Sequence, residues 1–495
     1  MLQITDLEIL QYHLGGKLGV EVLKDLIDQR ALSIAYTPGV AKPCLEIKKN
    51  PADVLKYTSK GNLVAVLTDG TAVLGLGDIG PRASIPVMEG KAVLFKSFAR
   101  IDAWPVPLEN CRTEGKHGKT DVNKLVDVAA SLSEMYGGIN LEDIAAPACF
   151  DVEKRLQECV DCPVFHDDQW GTAIITLAAL KNYALLTKKS MEDLSVVING
   201  AGAAGIRIAE TIKNEGVKSL LLLDSRGIIH NGREDLNPYK KAFAVKTSKR
   251  TLAEGLEKAD VFIGVSTPGL VKGEMVLSMK DYPGIFAMAN PEPEITPEEV
   301  KNVMGNRSYI MATGRSDYLN QINNVLGFPY IFRGALDVQA KYISMSMKKA
   351  AAEALAIVAR LEAPDYLKEA YPGADLSFGP SYIIPKPFDH RLLVEVSYAV
   401  AEAACQEGNA SITDLSSYRS YLEALAYAPA KDISLPFIIE RFSQFGSHII
   451  CHGHTPEGVK NTFICDLKNI TNFMQDKTLL GKQLTINLKK GKLLF

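Results

Sequence analysis

Apolar positions along this chain recur at two periods, and the change from one to the other marks its elements. Leu194 to Asn199, Lys218 to Leu223, Val261 to Ser266, Ile285 to Asn290 and Tyr309 to Ala312 are short apolar or β-branched runs that predict strands. Helical stretches alternate with them, beginning at Ala203 to about Glu215, and that alternation predicts a doubly wound parallel sheet. Upstream, Asn62 to Thr68 ends in Asp69-Gly70 and reads as a strand running into a turn. Thr5 to Leu26 predicts helix on both sides of a break at Gly15-Gly16, and Pro38-Gly39 and Pro43 punctuate a loop. Glu89-Gly90-Lys91 leads into an apolar helix or strand, and Gly171 to Leu186 reads as a helix. Lys341 to Arg360 and Leu392 to Glu407 are alanine-rich helices, and beyond Tyr427 the character of the chain changes.

Size and charge narrow this picture. A chain of 495 residues holds two or three domains. A hydrophobic share of 47% with 23% charged residues is that of a soluble globular protein, and a net charge of -3 argues against nucleic-acid binding. The longest apolar runs, such as Ile174 to Leu180, fall far short of the roughly 20 residues needed to span a membrane. The first residues carry no basic segment followed by an apolar one, so a cytoplasmic protein is expected. The eight cysteines fit reduced thiols, Cys159 and Cys162 form a lone CxxC, and His448, Cys451, His452 and His454 match no metal-ligand spacing. From Lys477 to Phe495 five lysines without an acidic residue read as a solvated basic edge.

The chemistry sits in four motifs. Gly200-Ala201-Gly202-Ala203-Ala204-Gly205 lies between a predicted strand and helix, with the acidic Asp224 about 20 residues on, which is the dinucleotide-binding context. Asp224 favours a free ribose hydroxyl and hence NAD, whereas Arg226 suits the 2′-phosphate of NADP, and the balance leans slightly to NAD. In Phe165-His166-Asp167-Asp168-Gln169-Trp170-Gly171-Thr172-Ala173, adjacent carboxylates diverge. One is suited to a hard divalent cation and the other to a substrate proton, unless either simply caps the following helix. Glu142-Asp143 stands at a strand end, where clefts form. Asn320 to Asn324 is an amide-rich loop suited either to a carboxylate or to its own backbone.

Taken together, Tyr36-Thr37-Pro38-Gly39-Val40, Leu74-Gly75-Leu76-Gly77-Asp78-Ile79-Gly80, Glu89-Gly90-Lys91, Glu142-Asp143, His166-Asp167-Asp168 and Asn323-Asn324 resemble malic enzyme of the shorter, bacterial-type class, in order from about residue 10 to 425. The resemblance implies an N-terminal α/β substrate and metal domain (1–165), a Rossmann-type NAD(P)-binding domain (166–320) and a C-terminal helical part (321–427), with a tail (428–495) outside it. That tail is too short for the phosphotransacetylase-like domain fused to some relatives. It also implies oxidative decarboxylation of malate to pyruvate and carbon dioxide, reduction of NAD or NADP, a bound Mg2+ or Mn2+, and a homodimer in which Tyr36 and Lys91 reach across the interface. Glu142, Asp143 and Asp168 match the metal ligands, Lys91 the general base, Tyr36 the general acid, and Asp167 a catalytic carboxylate. Asn290 and Asn324 match positions that hold malate. A base must be at least partly neutral, so burial or the metal is expected to lower the Lys91 pKa. Ala148 and Trp170 depart from the family pattern, which often has arginine and histidine there, and Ala72-Val73 replace an arginine of the longer enzymes. Two other readings stand beside this one: a malolactic-type enzyme that retains its nicotinamide and releases lactate, and a non-catalytic paralogue that binds malate or nucleotide.

Overall fold

A computed structural model describes residues 4–113, 119–427, 434–446, 448–456, 458–465, 483–487 and 492–494. Its first sheet is wholly parallel and made of β1 (Leu63–Thr68), β2 (Asp102–Pro107), β3 (Gly138–Leu141) and β4 (Val164–His166), in the order β2-β1-β3-β4. Both β1 and β3 are buried nearly throughout, as parallel strands covered on both faces must be. The helix Gly80–Ala99 turns Met88, Ala92, Phe95 and Ala99 inward, a helical stripe against this sheet. It continues without a break through Glu89-Gly90-Lys91, which settles the helix-or-strand alternative.

A second sheet of six strands follows: β5 (Ser195–Asn199), β6 (Ser219–Asp224), β7 (Gly227–Ile228), β8 (Val261–Gly264), β9 (Gly284–Ala287) and β10 (Ile310–Thr313), ordered β10-β9-β8-β5-β6-β7. All pairings are parallel except that of β6 with the two-residue β7. This is the doubly wound sheet that the strand and helix alternation predicts. One apolar cluster joins its inner face to the first sheet and to the long helices Thr172–Thr187, Met345–Arg360 and Arg391–Gln406, while a smaller cluster covers its other face.

One region differs from the sequence reading, and the tail, which that reading left without a fold, forms a sheet. Helix covers Asp6–His13 and then Gln29–Ala35, not the segment between. Gly15 and Gly16 take left-handed backbone (φ 81° and 77°), and beyond them Val20, Leu23 and Ile27 have no apolar surface beneath them, being 88, 75 and 84% exposed. The tail forms an antiparallel sheet of β11 (Ser434–Phe445), β12 (His448–His454), β13 (Lys460–Cys465), β14 (Gln483–Asn487) and β15 (Lys492–Leu494). Phe445 packs on Tyr418 and Tyr421 of the helix Tyr418–Ala426, with ring centroids 4.4 and 5.4 Å apart. The lysine side chains of the basic stretch lie outside the described residues.

Candidate active site

In a parallel sheet every strand ends on the same edge, so the residues that follow β1, β3 and β4 converge. Those residues are Asp69, Glu142-Asp143 and Asp167-Asp168, and clefts of open α/β sheets lie at this edge. Asp69 is buried and accepts hydrogen bonds from Thr71 and Thr120. Thr71 in turn accepts from the Ala145 amide, which fixes the loop behind Asp143. Asp143 itself holds left-handed backbone (φ 54°), a strained state for a residue with a side chain and one concentrated at functional sites.

Asp167 and Asp168 do not cap the following helix. They open a single π-turn, Asp167–Gly171, and the helix Thr172–Thr187 starts from Gly171 without a side-chain cap. The turn sends the two carboxylates apart. Asp167 Oδ2 accepts from Lys91 Nζ at 2.5 Å and from Asn324 Nδ2 at 3.0 Å, whereas Asp168 Oδ2 accepts from the Asp143 amide at 2.8 Å. Lys91 also lies 2.8 Å from Glu142 Oε1 and sits over the Phe328 ring. Asn140 donates to the other Glu142 oxygen at 2.8 Å. One oxygen of each carboxylate of Asp143 and Asp167 is buried without a partner.

Glu142, Asp143 and Asp168 bring ligand oxygens within 4.8 Å of one another, and they are the one such group among the described residues. That spacing is near twice the 2.0–2.6 Å bond of a hard divalent ion to oxygen, roughly what shared ligands require. The orphaned Asp143 oxygen and an all-carboxylate donor set fit such a cation. Burial raises the pKa of all three carboxyls, Asp143 to about 8 with the Asp168 charge adding to the effect. Lys91 departs from expectation. Burial is the largest single influence and pulls its pKa down, but the charges of Asp167, Glu142 and Asp168 together outweigh it and hold the pKa above the ordinary 10.5.

The dinucleotide motif is built as a phosphate cradle. Gly200 has φ +118°, and a side chain there would meet the Val265 carbonyl at 2.4 Å. A Cβ at Gly205 would fall 1.7 Å from the Gly200 carbonyl, while Gly202 faces open space at the start of the helix Ala203–Asn214. Ala203 and Ala204 open that helix and leave its first amides free of side-chain caps. At the end of β6, Asp224 is already engaged by Arg233 at 2.8 and 3.0 Å and by Lys240 at 2.7 Å. Arg226 is 71% exposed and pairs with Asp235 at 3.1 Å. Asn290, after β9, meets the other domain, for a Cβ at Gly75 would lie 2.9 Å from its carbonyl. Asn324 spends its amide on Asp167 and its oxygen on Thr172 at 3.0 Å. Tyr36 ends the helix Gln29–Ala35, 69% exposed, with no described hydrogen bond or ring contact to the Lys91 cluster.

Sequence reading missed Glu153. Its carboxylate is 2% exposed and accepts the His166 amide at 3.3 Å and Trp170 Nε1 at 3.0 Å, so it ties both ends of the Asp167-Asp168 turn to one helix. The signal was present: Cys149, Val152, Glu153 and Leu156 fall on one face of Ala148–Cys159, an acid on an apolar stripe. In the tail the histidines part company. His448 lies against Tyr421, His452 bonds Ser443 and Thr462, and His454 nears Glu440. Cys451 is disulfide-bonded, contrary to the expectation of reduced thiols throughout, whereas Cys44, Cys111, Cys149, Cys159, Cys162 and Cys405 are free.

Fold and site define a class: a two-sheet α/β protein whose dinucleotide-binding unit faces a buried lysine–carboxylate cluster able to hold a divalent cation. Known proteins narrow it. Residues 16–157 match the model "Malic enzyme, N-terminal domain" and residues 170–375 match "Malic enzyme, NAD binding domain". The NADP-dependent malic enzyme of Halomonas elongata is 50% identical over 404 residues, 81% of this chain and 93% of that protein. The probable NADP-dependent malic enzyme of Rickettsia prowazekii is 52% identical over 422 residues, 84% of this chain but 54% of that protein, so the chain spans about half the length of this longer relative. The crystal structure of the NAD-dependent malic enzyme of Thermotoga maritima superposes with a TM-score of 0.71 at 40% identity, covering 81% of this chain and 99% of that one. The chain belongs to the malic enzyme family.

Proposed function

We propose that this protein oxidises malate and decarboxylates it to pyruvate and carbon dioxide, with NADP as the preferred coenzyme. The observation that carries this reading is Lys91, held between Asp167 and Glu142 beside three carboxylates that converge on one point. Mg2+ or Mn2+ held by Glu142, Asp143 and Asp168 would supply Lewis-acid stabilisation of the charge that develops on the substrate's C2 oxygen. A nicotinamide bound at the Gly200–Gly205 motif would supply the acceptor for the C2 hydride.

This chain's residues handle the protons. Lys91 receives the C2 hydroxyl proton, and Asp167, itself fixed by Asn324, holds the amine toward the substrate. Glu142 and Asp168, two of the three carboxylates that keep Lys91 protonated, are ones a bound cation would neutralise, which leaves Asp167 alone against burial and favours the amine as a base. Asn290 orients malate, and Tyr36 returns a proton to C3. Because Tyr36 is exposed and makes no described contact with this cluster, we assign it to the partner subunit's site in a homodimer. The apolar side chains that residues 4–45 leave exposed, among them Leu7, Leu10, Val20, Leu23 and Ile27, support that interface.

The coenzyme preference reverses the lean taken from Asp224 alone. With its carboxylate engaged by Arg233 and Lys240, Asp224 has little acceptor capacity left for ribose hydroxyls. Arg226, Arg233 and Lys240 outnumber Asp224 and Asp235, which suits a 2′-phosphate. A cytoplasmic location rests on the free cysteines among the described residues, six in number, and the disulfide-bonded Cys451 runs against it. No helix among the described residues is long and apolar enough to cross a membrane.

Asp168→Asn tests the site. Metal-dependent malate turnover is expected to fall by about 10^3-fold while NADP binding measured by calorimetry stays within about twofold. Turnover near that of the unaltered protein would remove Asp168 from the cation site.

A further inference from the structure

Against Trp170 of the Asp167-Asp168 turn lies a cleft of about 290 Å3, lined by neither Lys91 nor the three carboxylates of the cation site, that the mechanism above does not use. Its walls come from three parts of the chain: Phe150 and Glu153 of the helix Ala148–Cys159, Arg207 and Tyr239 of the dinucleotide-binding unit, and Lys348 of the helix Met345–Arg360. Trp170 forms the surface between them. Arg207 lies 4.5 Å and Lys348 3.5 Å from its ring centroid. Glu153 is spent on Trp170 and the His166 amide, and Arg207 on Gln169 and Glu210.

Lys348 is different. It is 6% exposed, lines the cleft, and its ammonium lies over the Trp170 face and makes no hydrogen bond among the described residues, with Glu153, Glu210 and Arg207 acting on it only as neighbouring charges. A buried ammonium with unfilled donors costs stability unless an anion meets it. The exposed Lys154 stands on the rim, so the lining holds three cations and one carboxylate, Glu153, with Glu210 and Asp151 outside it bonded to Arg207 and Tyr239. We propose that this cleft is a second small-molecule site that takes an oxyanion, a carboxylate or phosphate group, on the Lys348 ammonium beside Trp170. The occupant would touch the turn that carries Asp167 and Asp168. Burial draws the Lys348 pKa down to about 8, the direction that an anion in the cleft reverses.

The test needs neither malate nor coenzyme and so stands apart from the proposed activity. The chain has two tryptophans, and Trp104→Phe on the partly exposed β2 leaves Trp170 as the sole reporter. Full-length protein is titrated with inorganic phosphate and, separately, with citrate, following Trp170 emission. A saturable change below about 20 mM with either probe is expected, and which one saturates identifies the source of the oxyanion. Lys348→Met is expected to weaken that response by about tenfold or more while melting no lower than its parent. Lys154→Glu, a rim change that leaves packing alone, is expected to weaken it by about fivefold. No saturable change with either probe overturns the proposal, as does an undiminished response in both variants.

Discussion

Lys91 and Lys348 are both buried, and their neighbours send them in opposite directions. Three carboxylates hold the proton on Lys91, while Lys348 has an aromatic face, the paired carboxylates Glu153 and Glu210, and the like charge of Arg207. Lys348 therefore stores a penalty that pH can remove. An unfolded lysine binds its proton near 10.5 and the folded one at about 8, a gap equivalent to roughly 3 kcal/mol. The penalty is absent above pH 10.5, grows as pH falls toward 8, and is complete below it. Lys348→Met should thus melt higher than the unaltered protein at pH 7, with the difference closing as pH rises toward 10.5. A difference in melting temperature that does not change with pH would contradict this account. The position was legible as a charge on an apolar stripe, since Lys348, Ala351, Ala352 and Leu355 share one helical face. Its partner Trp170 was not, because nothing local to the turn names residues about 180 positions away.

At the scale of elements, the doubly wound sheet and its glycine motif could be read from period and spacing, for strands buried on both faces keep their apolar runs. The π-turn could not, since its extra residue is set by Lys91, Asn324 and Glu153 and not by local propensity. Nor could the segment between Gly16 and Gln29, whose apolar residues match a helix but face no core. Within the turn Gly171 leaves no room: a Cβ there would sit 2.0 Å from Asp167 Oδ1 and 3.1 Å from the Asn324 side chain. Gly171→Ala should displace Asp167 and reduce kcat by about 100-fold with the far-ultraviolet circular dichroism unchanged. Near-normal kcat would show that Asp167 does not need this position. The roles given to Asn290 and Asn324 looked alike from their motifs, but in the fold the exposed Asn290 side chain lies beside Gly314 and Asn324 is committed to Asp167.

For the whole molecule, convergence matters more than any single motif. Glu142-Asp143, Asp167-Asp168 and Lys91 lie far apart in sequence and meet because parallel strands end on one edge with the helix Gly80–Ala99 beside them. Tyr36 makes no described contact with them within one chain. If it acts across a homodimer, Tyr36→Phe and Lys91→Met proteins are each nearly inactive, and after unfolding and remixing in equal amounts they should regain about a quarter of normal activity through mixed dimers. No recovery in dimers that sedimentation shows to be mixed would place Tyr36 outside the partner's site. The C-terminal antiparallel sheet packs through Phe445 on Tyr418 and Tyr421 of the helix Tyr418–Ala426.

The central claim concerns products. Purified protein with malate, Mn2+ and either NADP or NAD should yield pyruvate, carbon dioxide and reduced coenzyme in equal amounts, with the higher kcat/KM for NADP. Lactate without net coenzyme reduction, or no turnover of malate with either coenzyme, would contradict it.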